Sequence, residues 1–532
     1  MSILKSGHCD YTDNYKPHSN CNGEYFLYSA LPPWPCNVPE RETHQGNTKR
    51  VVDPRVVQAD MPVGSMIRIN IRRYGMDKIR KPCPGSSSRL RAAGTALLAG
   101  CLTLAAGASA NEAYLTRFGP ETYAAAEGEP RSYSSTFRAI DGPATIFLQE
   151  DGILDARIKI NGIDVLEPAD FDDNGEAAVR LQLQPENTIE LSVLGEPDGS
   201  LNVRVRQYTE ADINVRAKMY FGINTSNMAR QREFYNTLGL TGEIYPAGPE
   251  ECKSFAQSLG FPDDYRIFVA LTSLTGAPPW IDTVEFRDRS FRDDRPYPSL
   301  NHIGMAYATY ATTDLNGDYA YLTEQGVEFV SQPAMAPNGE RFVFLKDPDG
   351  TFLKLIEESG SATAGPDLVR LVNTNMNVAD LQRSRQFYRL LGFTEVESAS
   401  QNGYGQFARA HGFDSGIAFM GVDVSLPGTD RPLPSGGDPR GTLQLRQWGL
   451  PYDDAPPYWP PVNHLGIDRI AFYVDDLNAT IAEMNRLGFE PVGPIGGGAN
   501  VGDVGIVFYY DPDGIKVEFW GPVSEPNPNS AC

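Results

Sequence analysis

Asn463-His464-Leu465-Gly466 opens a segment that continues as Arg469-Ile470-Ala471-Phe472-Tyr473-Val474, Asp476, Leu477 to Leu487, Gly488, Ile506 to Tyr510, Asp511-Pro512-Asp513-Gly514 and Ile515 to Trp520. The run ending at Val474 is apolar on both faces, which is the pattern of a buried strand. Asp476 stands where a helix needs an acceptor for its first free N–H groups, and Leu477, Ile481 and Met484 recur three and four apart on one face. Gly488 ends that helix where a left-handed residue is required. The order read from this segment is strand, helix, three strands.

The same punctuation occurs upstream. Asn301-His302-Ile303-Gly304 leads to a strand, Asp314 caps a helix ending at Gly326, and Phe342 to Leu345, Asp347-Pro348-Asp349-Gly350 and Thr351 to Glu357 follow. The offset between the copies is 162 residues at the histidine and 164 at the first Asp of the turn, a near-constant spacing that indicates duplication. A second module type lies before each copy. Val372 to Val378 alternates like a strand, Asp380 caps a helix carrying Phe387-Tyr388, and Leu391-Gly392-Phe393 ends it; the counterpart is Tyr220 to Asn224, a helix from about Asn227 with Phe234-Tyr235, and Leu238-Gly239-Leu240. Residues 213–359 and 368–524 therefore read as two pairs of modules.

The net charge of −22 is carried by the chain after residue 110, because basic residues outnumber acidic ones before it. This balance disfavours nucleic acid and anionic membrane surfaces as partners. Five of the seven cysteines precede residue 110, leaving only Cys252 and Cys532 in the body, too few for a disulfide framework. Residues 1–75 show no periodic pattern and read as unstructured, an over-extended start. From Met76, a basic stretch, an apolar run from Ala92 to Ala106 and Ala108-Ser109-Ala110 give the three-part layout of a secretory signal over residues 76–110. Export to the periplasm or medium is the expectation. Leu98-Ala99-Gly100-Cys101 also resembles a lipobox, which would make Cys101 a lipid-anchored N-terminus. No later stretch is long and apolar enough to span a bilayer.

Residues 111–212 alternate in short runs at Ala144–Leu148, Ala156–Ile160, Val179–Leu183, Thr188–Val193 and Leu201–Val205, with Asn161-Gly162 and Asp198-Gly199 as turns. Five such runs predict a small all-β sandwich. It resembles the accessory modules of exported proteins, with a spacer, interaction or sugar-binding role and no aromatic cluster to mark a binding face.

Phe-Tyr followed by Leu-Gly-[Leu/Phe], Val-x-Asp-Leu, and Asp-Pro-Asp-Gly before a terminal strand together resemble the vicinal oxygen chelate superfamily, which includes glyoxalase I, extradiol dioxygenases and bleomycin resistance proteins. The implied fold is α+β: four βαβββ modules forming two domains behind the sandwich. In that family paired modules curve round a cavity that often holds a divalent metal, so cavities are expected from 213–359 and from 368–524. The family's ligand positions lie on the first strand, seven residues before the helix cap, and on the last strand, seven after the first Asp of the turn. Carried over, these are Tyr220, Tyr307, Asn373 and Arg469, then Lys354 and Glu518. Glu285 and Gln444 fill the remaining positions in modules that lack the turn.

A divalent site needs several converging His or carboxylate ligands. Neither expected cavity offers more than one carboxylate, and each holds a Lys or Arg, so no metal cofactor is predicted. His302 and His464, with Glu518, are the alternative ligands; an odd separation from Tyr307 and Arg469 turns both rings to the opposite strand face unless a bulge intervenes. Arg469 with Glu518, and Lys354 with Glu285, read as carboxylate clamps or internal ion pairs. Tyr220 and Tyr307 serve packing or hydrogen bonding. Tyr297, Tyr458 and Trp459 lie in Pro-rich linkers, and His411 in a loop is unassigned. The expected function is a small-molecule binder, with a dioxygenase- or lyase-like enzyme and a non-catalytic scaffold as alternatives.

Overall fold

The computed structural model describes residues 111–524, apart from 167–169, 173, 244–246, 252, 262–265, 288–298, 363–364, 428–440, 454–462 and 498–503. The expectations for residues 1–75, the signal at 76–110 with Cys101, and Tyr297, Tyr458 and Trp459 fall outside the described residues.

Residues 111–211 form a six-stranded antiparallel sheet folded over on itself. The short alternating runs merge here into two long strands, Gly142–Ile160 and Glu186–Ala211, each of which crosses from one layer to the other. The second pairs with Arg131–Arg138 through its first half and with Asn111–Ala124 through its second. Ile146, Leu148, Ile158, Ile189, Val193, Leu201 and Val205, drawn from both halves of both long strands, share one core, so the layers face each other. Asn161, at φ 54°, and Gly162 make the expected turn.

The sandwich is docked rather than tethered. Asn111 Nδ2 donates to Leu390 O at 3.1 Å, and Arg117 Nη1 donates to Leu487 O at 2.7 Å. Both carbonyls belong to helix C-termini, whose last acceptors lack partners within the helix. An aromatic strip does mark its outer face, contrary to expectation: Tyr114 and Tyr208 are exposed and in contact, and Arg206 lies over the rings of Tyr114 and Phe147.

The four modules carry one main helix each: α1 (Met228–Thr237), α3 (Leu315–Glu324), α4 (Leu381–Leu390) and α6 (Leu477–Arg486). Short helices α2 (Lys253–Ser258) and α5 (Gln406–Ala410) are inserted in modules 1 and 3. Asn227, Asp314, Asp380 and Asp476 each accept a hydrogen bond from the backbone N–H three residues on, which is the capping expected of them.

The pairing of modules differs from expectation. Module 4, with Gly466–Val474 innermost, joins module 1, with Val215–Asn224 innermost, in a nine-stranded sheet. Module 2 joins module 3 in a ten-stranded sheet through Gly304–Thr312 and Leu368–Asn377. Thus 213–359 and 368–524 do not each enclose a cup; the cups lie between modules 1 and 4 and between modules 2 and 3. The connectors supply the reason. The short link 358–367 lays Leu368–Asn377 beside Gly304–Thr312, whereas modules 1 and 2 are separated by the longer stretch 287–303.

Modules adjacent in sequence are held together another way, by the Asp-Pro-Asp-Gly turns. Asp349 accepts from Thr225 Oγ1 at 2.6 Å, Ser226 N at 3.0 Å and Arg230 Nη2 at 2.5 Å, while Asp347 accepts from Gln231 Nε2 at 2.7 Å. In the second copy Asp513 accepts from Ala379 N at 3.0 Å, Arg383 Nη2 at 2.7 Å and Ser384 Oγ at 2.6 Å, and Asp511 from Tyr388 Oη at 2.9 Å. Each turn places carboxylates at the N-terminus of α1 or α4, where the helix dipole favours negative charge. Among the described residues no helix is long and apolar enough to cross a membrane.

Candidate functional site

Strand register aligns the ligand positions across each cup. In the first cup Tyr220, Ala471 and Glu518 form one row across three strands, and Asp282, Gly222 and Arg469 form the next. In the second cup the rows are Tyr307, Asn375, Gln444 and Lys354, Thr309, Asn373. The two cups are therefore built alike. One correction follows: the residue of module 1 equivalent to Glu518 is Asp282, not Glu285. Glu285 instead accepts from Met228 N at 2.7 Å at the start of α1 and pairs with Arg287.

The first cup holds a buried charge network, in which Arg469 Nε, Asp282 Oδ1, Asp468 Oδ2 and Glu518 Oε2 have no hydrogen-bond partner among the described residues. Arg469 reaches over Gly222 to Asp282, and a Cβ at position 222 would lie 2.6 Å from the guanidinium carbon, so only glycine leaves room. Arg469 Nη1 donates to Asp468 Oδ1 at 2.8 Å, and Nε lies 3.6 Å from Glu518 Oε2. Tyr220 Oη donates to Glu518 Oε1 at 2.5 Å. Three carboxyl groups thus surround one buried guanidinium, against the expectation of at most one carboxylate per cavity. Burial raises the pKa of Asp282, and it pushes Glu518 up to about 8 and Lys516 down to about 7.

The raised Glu518 pKa has a testable consequence. The native state keeps a proton that the unfolded chain releases near its ordinary value of 4.5, so this contribution is complete below that pH and is lost as pH rises through about 8. Glu518→Gln keeps the shape and the acceptor for Tyr220 but cannot ionise. The stability of the natural protein relative to this variant is expected to fall from pH 5 to pH 9 in urea titrations; a flat difference would contradict a protonated Glu518.

The second cup is organised differently. Tyr307 Oη donates to Gln444 Oε1 at 3.1 Å, as Tyr220 does to Glu518, and Gln444 Nε2 donates to Asp423 Oδ1 at 2.9 Å. Lys354 pairs with Glu340 at 2.5 Å rather than with Glu285. Asn373 is buried, and its Oδ1 has no hydrogen-bond partner among the described residues. Two residues beyond Gln444 on the same face of Thr442–Leu450 stands Arg446, 2% exposed. Its guanidinium lies 4.2 Å from the Phe419 ring centre and 5.6 Å from that of Tyr307. Among the described residues no carboxylate pairs with it, and its Nε and Nη1 are buried without acceptors. Gly421 across the strand pair makes space, since a Cβ there would sit 3.2 Å from Arg446 Cγ.

His411 follows α5 and enters this cup among Phe342, Phe344, Phe407, Phe419 and Trp448. Its Nδ1 lies 2.9 Å from Phe407 O, and a carbonyl can only accept, so Nδ1 carries the hydrogen and Nε2 the lone pair. Burial lowers its pKa to about 3, which keeps the ring neutral. Arg446 and His411 are the site residues that the motif spacing missed. The available signal was the inward alternation Gln444, Arg446, Trp448.

His302 and His464 sit at the turns entering their strands. The His302 ring meets Asp453 at 3.1 Å and that of His464 meets Leu465 O at 2.9 Å, while their carbonyls accept from Asn377 Nδ2 and Asn224 Nδ2. The donor sets do not fit a divalent cation. One cup has a guanidinium bonded at the ligand positions, and the other offers an ammonium, two amides and a phenol.

This duplicated βαβββ architecture, with its paired inward rows, defines a class of protein. A family model, the Glyoxalase/Bleomycin resistance protein/Dioxygenase superfamily, matches residues 219–355 and 370–519. The chain belongs to this superfamily, that of the vicinal oxygen chelate fold. Among solved structures it is similar to glyoxalase I from Zea mays, at 14% identity and a TM-score of 0.38, covering 57% of this chain and 92% of that one. It is also similar to a putative dioxygenase from Bacillus subtilis, at 11% identity and a TM-score of 0.35, covering 58% and 86%. A glyoxalase family protein from Bacillus cereus aligns at 17% identity and a TM-score of 0.24, over 29% of this chain and all of that one (100%). No curated protein matches the chain.

Proposed function

We propose that this protein binds a small organic molecule in the cup between modules 2 and 3 without a divalent metal, and that the cup between modules 1 and 4 is a structural core. The observation that carries this reading is the contrast between two equally buried arginines. Arg469 forms ion pairs with Asp282 and Asp468 and faces Glu518, whereas among the described residues no carboxylate lies within ion-pair distance of Arg446, and its Nε and Nη1 have no acceptor. A buried cation is costly unless it is paired, so a buried guanidinium with two unbonded nitrogens is accounted for by a ligand that supplies the acceptor.

A catalytic role in the same cup would rest on His411, but a ring with a pKa of about 3 is a weak base, which favours binding over proton transfer. Export by the 76–110 segment belongs to this reading, and N-terminal sequencing of secreted protein tests it. For the binding itself, the full chain is screened against small organic molecules by thermal shift, with and without EDTA, alongside elemental analysis. Shifts that persist in EDTA and vanish in Arg446→Met are expected; a stoichiometric metal required for binding would overturn the proposal.

A further inference from the structure

We propose that the outer face of the N-terminal sandwich binds a short acidic oligosaccharide, with a uronate carboxylate on Arg206 and the sugar rings on Tyr114 and Phe147. The site is separate from both cups and does not depend on what the second cup holds. Residues 111–212 carry 20 acidic and 8 basic side chains, yet three of the basic ones share this face. Strand register sets Arg180, Thr145, Arg206 and Thr116 side by side across four strands, and residues directly opposite point to the same side. Arg204 stands two residues before Arg206, opposite Phe147, and Tyr208 two residues after it, opposite Tyr114.

The arginine at the centre of this face is without an anion. Its guanidinium carbon lies 5.5 Å from the Tyr114 ring centre and 6.0 Å from that of Phe147, so ring contacts hold the side chain in place while its N–H groups remain to be satisfied. Among the described residues Arg206 makes no hydrogen bond and no ion pair, although acids predominate in this domain. Arg204 beside it is engaged by Asp380 at 3.6 Å. Burial, and then the charge of Arg204, lower the Arg206 pKa, and an anion placed here offsets the repulsion between the two. A carboxylate matches the guanidinium through paired hydrogen bonds.

The carrier of that carboxylate follows from the rest of the face. Tyr114, Tyr208 and Phe147 are 53%, 44% and 40% exposed, so they are not core packing. Tyr208 is fixed by Glu112 at 2.5 Å and Glu210 at 3.2 Å, and Tyr114 lies against it with ring centres 5.3 Å apart. Flat rings beside Thr116, Thr145 and Asn202 suit pyranose rings, which have apolar C–H faces and hydroxyl rims. A peptide would need an open strand edge or side-chain pockets. The Asn111–Ala124 edge is already engaged, since Tyr114 N donates to Gln386 Oε1 at 2.8 Å. Nucleic acid carries a charge about every 3.4 Å along each strand. That density is repelled by Glu112, Glu210 and Glu176 at the borders of the face and by a net charge of −22. A sugar chain in which acidic and neutral rings alternate offers one carboxylate to Arg206 and uncharged rings to the aromatic side chains.

The test is calorimetric titration of the full chain with a hyaluronan hexasaccharide, in which glucuronate and N-acetylglucosamine alternate, and with its methyl ester. Hexagalacturonate, hexaglutamate and a thymidine hexanucleotide are titrated alongside. The hyaluronan hexasaccharide is expected to bind tightest and its ester about tenfold weaker, with the difference shrinking as salt is raised. Arg206→Gln should weaken the acid about tenfold and leave the ester nearly unchanged, and Arg206→Lys should recover part of the loss. Tyr114→Ala and Phe147→Ala should each weaken acid and ester alike, by about fivefold. Thermal melts establish that each variant folds. Equal binding of acid and ester, or full affinity in Arg206→Gln, overturns the inference. So does tighter binding of the peptide or the oligonucleotide, or no binding of either acidic sugar.

Discussion

Arg469→Met is expected to destabilise the protein by about 3–5 kcal/mol, the range for removing one partner from a buried ionic group. The guanidinium bonds Asp282 and Asp468 and faces Glu518, and all four side chains are buried. Methionine fills much of the volume but leaves three acids around an apolar group. The native state must then take up protons to keep them neutral, so the loss should be smaller at pH 5 than at pH 8. Urea unfolding at the two pH values measures both effects. A loss below about 1 kcal/mol at pH 8 would mean that the network behaves like a solvated surface pair.

Arg446→Met is expected to act in the opposite direction, raising stability by about 1–3 kcal/mol, because it exchanges a buried cation with two unbonded nitrogens and no carboxylate within ion-pair distance among the described residues for an apolar side chain in an aromatic setting. Measured in the same urea series, the two substitutions differ in sign although both arginines are 2% exposed. A destabilisation comparable to that of Arg469→Met would show that Arg446 is held by partners of its own. The gain in stability should accompany the loss of binding, as is common where a site is strained for function.

What the sequence made legible were the features fixed within a module. Helix caps, the glycines that end helices and the Asp-Pro-Asp-Gly turns each act on neighbours a few residues away, so their spacing carries them. The partner of each sheet edge was not legible. Val215–Asn224 and Leu368–Asn377 have similar alternation, and only the lengths of connectors 287–303 and 358–367 distinguish which edge each can reach. The Glu285 assignment failed for a related reason: module 1 lacks the turn from which the spacing is counted, and the register through Trp280 and Tyr220 places Asp282 instead. Gln444, in the other module without that turn, does stand in the expected row. Arg446 escaped because a lone arginine on a strand reads as solvent-facing until the other face is known.

The cross-pairing of modules bears on how the chain matures. The ten-stranded sheet is continuous in sequence from Gly304 to Leu450 and can close while synthesis proceeds, whereas Val215–Asn224 waits for Gly466–Val474, more than two hundred residues later. Until then one side of an apolar strand stays open to pairing with another chain, the hazard of any uncovered sheet edge. Chains interrupted between 450 and 466 would carry that edge permanently, making the last module the element that keeps newly made copies apart.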